Sequence, residues 1–158
     1  MTKTQMKAID NIIAQTAYKE FLQGVWTGEN GNTYCVCPFY GVMLYEPIPE
    51  IQKCKGDPSI ESLFDIPAKC DSLTPPTIAQ LKTHVKGYRR GGCYKPSEVA
   101  WDFGPEKPWV NPWYLMDILT IFPGASLYYL TERKSLSFIY FEHANGKGLL
   151  LPIRKTKI

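Results

Sequence analysis

The chain has 158 residues, 44% of them hydrophobic and 13% aromatic, a balance that excludes a disordered polymer and suits one domain with a sizeable core. Its net charge of +3 is too mild to mark a dedicated polyanion reader, and no window nears the roughly 18 apolar residues of a membrane span. An odd set of five cysteines, with no apolar leader after Met1, reads as thiols of a reducing, cytoplasmic compartment.

Met6, Ile9, Ile13 and Ala17, widened by Ala8 and Ile12, recur at helical spacing and predict an amphipathic helix over residues 5–17. A strand follows from Phe21 towards Gly28, and Asn30-Gly31 marks a hairpin turn. The return strand, Thr33 to Cys37, sets Tyr34 and Val36 on one face and Cys35 and Cys37 on the other. Pro38 breaks the ladder, and Gly41 to Tyr45 supplies a third strand.

Residues 50–95 are punctuated by Pro58, Pro67, Pro75 and Pro76. Ser59 to Ile66 fits a short helix or a strand; Thr77 to Lys86, with Ile78, Leu81 and Val85 in register, fits a helix. Lys86-Gly87-Tyr88-Arg89-Arg90-Gly91-Gly92 reads as a basic loop, and Ser97 to Phe103 as a strand. Asn111 then caps a helix with Pro112 at its first position, stopping at Pro123-Gly124. Three more strands are expected at Ala125–Leu130, Leu136–Phe141 and Gly148–Ile153, with Asn145-Gly146 at the last turn.

Helix plus three strands thus occurs twice, over about 5–46 and about 97–154, around an insertion at about 50–95. Asn111, Tyr114, Leu115 and Asp117 open the second helix, and Leu151-Pro152-Ile153-Arg154 follows the final strand. With Phe21 to Val25 and Asn30-Gly31 upstream, this order resembles one domain of the bacterial DNA polymerase sliding clamp, closest to that protein's last domain. The resemblance implies an α+β, DNA-clamp-like fold with an antiparallel sheet outside and both helices on one face. The family's domain begins with a strand before its first helix, for which residues 1–5 are short and polar. A chain holding one such domain would have to form a homo-oligomer to close a ring.

Two kinds of partner follow from that resemblance. Clamp helices meet DNA phosphates, for which Lys3, Lys7 and Lys19 are placed, although the second helix carries only Asp117. Lys82, Lys86, Arg89 and Arg90, with Tyr88 among them, form the densest basic stretch and suit DNA; they equally suit a solvated loop. Clamps also capture linear motifs of replication or repair proteins, through positions matching Tyr114, Leu149, Leu151, Pro152, Ile153 and Arg154. Plain core packing explains Leu149 and Leu151 as well.

Little points to catalysis, a metal or a cofactor. Cys35 and Cys37 share a strand face, with Cys54, Cys70 or His84 as further zinc ligands, yet no C-x2-C pair is present. A cysteine with His84 or His143 would make a thiol enzyme, but no local signature supports it, and Gly91-Gly92-Cys93 is no phosphate loop. The expectation is a non-catalytic accessory of DNA transactions. The alternative is a peptide-binding adaptor or inhibitor from a phage or mobile element that does not touch DNA.

Overall fold

The buried stripe Ala8, Ile9 and Ile12 winds the first helix, α1 (Lys3–Ala14), which begins a computed structural model describing residues 1–14, 25–28, 30–48 and 58–154. The expected first-strand residues Phe21 to Gly24, with Ala17 and Lys19, lie outside the described residues. Next come β1 (Val25–Thr27) and β2 (Thr33–Val36), paired antiparallel around a turn in which Gly31 takes φ +83°. That left-handed conformation suits glycine, which is why Asn30-Gly31 was a readable signal. β3 (Tyr40–Leu44) begins one residue earlier than expected, because Cys37 N donates to Tyr40 O and closes the turn over Pro38-Phe39.

Of the segment at 50–95, the described residues 58–95 supply Leu73 and Leu81 to the helix-side core and Phe64 to the opposite face of the sheet. A 3-10 turn over Pro58–Phe64 resolves the helix-or-strand ambiguity, and β4 (Cys70–Leu73) is a strand that periodicity did not announce. α2 (Ile78–His84) is held by a capping box, with Thr77 Oγ1 accepting from Gln80 N and Gln80 Oε1 accepting from Thr77 N. Leu81 of α2 is fully buried in the core, where α2 packs on α4.

The strand expected at Ser97–Phe103 is instead one helical turn, α3 (Pro96–Val99), and a two-residue strand, β5 (Trp101–Asp102). Proline at the first helical position favours the turn, and β5 pairs with β6 (Trp109–Val110) outside the main sheet.

α4 (Pro112–Ile121) follows the expected cap: Asn111 Oδ1 accepts from Trp113 N and Tyr114 N. β7 (Ser126–Leu130) matches its prediction closely. β8 (Ile139–His143) starts late, since Thr131–Leu136 winds as 3-10 turns broken at Lys134 (φ +50°). β9 spans Gly146–Leu150, so the turn falls on Ala144-Asn145 and the strand ends before Leu151. Pro152 has no N–H to extend a ladder, and beyond it Ile153 makes only an isolated bridge to Trp109.

The fold is α+β. Among the described residues seven antiparallel strands run in the order β1-β2-β3-β9-β8-β7-β4, so each three-strand meander follows a helix and the two third strands pair with each other. α1, α4 and α2 contribute to one core on one face, packed on Cys35, Val42, Ile139, Phe141 and Leu150. Period-2 alternation sends Tyr34, Val36, Met43 and Leu149 to the other face, where Phe64 of the 3-10 turn covers them. Among the described residues no helix is long and apolar enough to cross a membrane.

Candidate functional site

Asp117 is the only charge of an otherwise apolar helix and is 6% exposed. A carboxylate so placed needs partners, since burying an unpaired charge is costly. It has three. Asn11 Nδ2 of α1 donates to Oδ1 at 3.1 Å; Tyr40 Oη of β3 and Arg90 Nη2 donate to Oδ2 at 2.7 and 2.9 Å. Arg90 Nη2 also reaches Tyr40 Oη at 3.2 Å. One carboxylate therefore ties α1, α4, β3 and the basic loop together.

This placement divides the basic stretch that was read from sequence. Arg90 is half-buried and spent on Asp117, its guanidinium lying 5.6 Å from the ring centre of Tyr114. Burial pulls its pKa down, but the bonds to Asp117 and Tyr40 and the charge of Asp117 more than reverse that. Lys82, Lys86 and Arg89 stay exposed, as do Lys3 and Lys7 on α1.

An aromatic end surrounds the network. Tyr114 stacks on Tyr40 at 4.3 Å between centroids and on Phe39 at 5.9 Å, and Phe39 is 44% exposed. Leu151 N donates to Phe39 O, and Ile153 N to Trp109 O, so the chain after β9 runs past this end. The sequence-predicted peptide residues are thereby divided. Tyr114 and the backbone of Leu151 meet at Phe39 and the backbone of Ile153 at Trp109, whereas the side chain of Leu149 is buried on the far face with Trp26, Tyr34 and Phe64. Leu151 packs partly against that far cluster, Pro152 is half-exposed, and Arg154 is exposed.

Cys37 and the two histidines are otherwise engaged. Burial raises the Cys37 thiol pKa, outweighing the hydrogen bonds from Phe39 and Tyr40 backbone, so the nucleophilic thiolate is disfavoured. His84 Nε2 is 2.9 Å from Val99 O, and His143 Nε2 is 2.9 Å from Pro123 O. No three His, Cys, Asp or Glu side chains among the described residues gather as metal ligands. An open depression of about 770 Å³ lies beside the start of α1, lined in part by Lys3, Lys7, Asp10 and Tyr45; neither Arg90 nor Asp117 borders it.

Sequence reasoning missed Tyr40 and the pairing of Arg90 with Asp117. A usable signal existed: a lone acid in the run Pro112 to Ile121 demands a cation, and Arg90 lies in the densest basic stretch. Compared with known proteins, the chain matches no family model, no curated protein and no solved structure.

Proposed function

We propose that the chain is a clamp-type domain acting without catalysis as an accessory of DNA transactions, its helix layer facing DNA. Support for the clamp reading comes from the strand order: two helix-led meanders meet through β3 and β9, with α1 and α4 on one face. The segment at 50–95 then adds β4 to one edge and α2 to the helix layer.

The observation that carries the DNA reading is the charge of that layer. Lys3, Lys7 and Lys82 are exposed on α1 and α2 against the single exposed carboxylate Asp10, with Lys86 and Arg89 continuing beyond α2. Asp117, the acid that argued against DNA in the sequence, is neutralised by Arg90. Phosphates are the natural partners of such a surface, and the binding would be sequence-independent.

The test is duplex binding by fluorescence anisotropy across a salt series. Wild type should weaken steeply with salt, and Lys3→Ala/Lys7→Ala should lower the logarithmic slope by about 1 to 2. Unchanged affinity and slope in both this variant and Lys82→Ala/Lys86→Ala would sink the DNA reading.

Peptide capture is the second reading, favoured by the exposed ring of Phe39 stacked on Tyr114 beside the chain leaving β9. Selection from a linear-peptide library followed by Phe39→Ala tests it; a binder that survives the substitution speaks against this end as the groove. Phe39 is a better probe than Tyr114, whose ring also supports Tyr40.

A further inference from the structure

From residue 72 to residue 97 the chain contains no Asp or Glu, yet it carries Lys82, Lys86, Arg89, Arg90 and Lys95. The loop within this stretch is built, not slack. Tyr88 N donates to Val85 O, Gly92 N to Arg89 O, and Tyr94 Oη to Arg89 O at 2.6 Å. Gly87 and Gly91 take φ of +91° and +74° to make the bends, and Arg90 pins the middle to Asp117.

What the loop displays is a row of rings. Tyr88 and Tyr94 meet edge to face at 5.2 Å, and Tyr94 lies 6.1 Å from Trp113 in the first turn of α4. Tyr88 is 42% exposed, and Lys86, Arg89 and Lys95 flank the row in solvent.

We infer that the Tyr88–Tyr94–Trp113 row is a stacking platform for unpaired bases of single-stranded DNA, with Lys86, Arg89 and Lys95 on its phosphates. The inference rests on the DNA reading above and adds the state of the DNA. A duplex hides its base faces in its own stack, so exposed rings offer it nothing; a single strand presents both π-faces and phosphates. Charge complementarity sets the occupant apart from an acid-free apolar peptide, which would leave the cations unused. Arg90 is a positioning residue here, since its guanidinium holds the loop and faces inward to Asp117.

The experiment uses the intact chain with an oligo(dT) of about twenty nucleotides, the matching oligo(rU), a duplex of similar length and a poly-glutamate peptide. Tyr88→Ala should weaken oligo(dT) binding about tenfold and leave duplex affinity unchanged, while Tyr88→Phe retains binding. Oligo(dT) should quench tryptophan fluorescence, and Trp113→Phe should remove most of that quench. Duplex binding with oligo(dT) affinity unmoved by Tyr88→Ala overturns this inference and spares the DNA reading; failure to bind either DNA overturns both. Tighter binding of oligo(rU) or of poly-glutamate than of oligo(dT) also overturns it. Thermal melts confirm that each variant is folded.

Discussion

Tyr40 donates its phenolic proton to Asp117 across 2.7 Å, joining β3 to α4 through a carboxylate that Arg90 also holds. Removing one member of such a set costs more than the set contributes, because the survivors stay buried without partners. Asp117→Ala should therefore destabilise the fold by about 2–4 kcal/mol, less than a fully buried pair would lose, since the Arg90 side chain is 31% exposed and water can reach it. Tyr40→Phe removes two charge-assisted bonds, one to Asp117 and one from Arg90, and should cost about 1.5–3 kcal/mol. Denaturant titrations measure both; an Asp117→Ala chain as stable as wild type would refute this account of the network.

Tyr40 and the nearby Cys37 set a limit on alkaline stability. Burial raises the Cys37 thiol above its ordinary value of 9.0, and burial with the Asp117 charge raises Tyr40 above 10.0. Both groups hold their protons more firmly in the folded chain than in the unfolded one. Stability from them is therefore complete below about pH 9 and declines above it, as the unfolded chain sheds protons first. The denaturation midpoint should fall between about pH 9 and about pH 11, and Tyr40→Phe should flatten the decline above about pH 10. A midpoint that holds or rises over that range would contradict the sign.

Most of this fold was readable where one residue type does one job. Asn111-Pro112 predicted the start of α4, because a side-chain acceptor and a missing N–H both suit a helix opening. The alternation of Tyr34 and Val36 against Cys35 and Cys37 predicted two opposite faces for β2, and the structure buries both. β4 was not readable: Cys-Asp-Ser-Leu has no apolar period, and its place comes from pairing with β7 at Cys70↔Leu130 through Leu73↔Leu127. Trp101 and Phe103 misled in the other direction, their alternation serving a two-residue ladder with β6.

The candidate site divided in the same way. Exposed Lys3, Lys7, Lys82, Lys86 and Arg89 are a matter of composition and were visible at once. Arg90 looked identical to Arg89 in sequence, and only the three-dimensional approach of the loop to α4 separates the bound arginine from the solvated one. Tyr94 and Trp113 stand 19 positions apart, so no local pattern could have placed their rings side by side.

Gly146 opens β9 between β3 and β8, and a Cβ there would collide with Met43 O and approach the Phe122 ring to 2.9 Å. Backbone cannot yield as a flexible side chain can. Gly146→Ala should therefore cost about 3 kcal/mol or more and spread the β3–β9 seam. Gly148 meets only side-chain carbons of Ile118 and Phe141 at 3.0 Å, so Gly148→Ala should cost less. Thermal melts of the two variants rank them; the reverse order would show that the seam relaxes more easily than the core beneath it.

Leu149 separates packing from capture, because the sequence admitted both roles. It is 5% exposed and lies with Trp26, Tyr34 and Phe64 on the sheet face away from Tyr114. Truncation to alanine should open a cavity and cost about 2–5 kcal/mol. If Leu149 only packs, a peptide selected on the Phe39 end should bind Leu149→Ala with unchanged affinity under conditions where that variant is folded, while Phe39→Ala loses it. Loss of binding by folded Leu149→Ala without loss of stability would place the groove on the opposite face of the sheet.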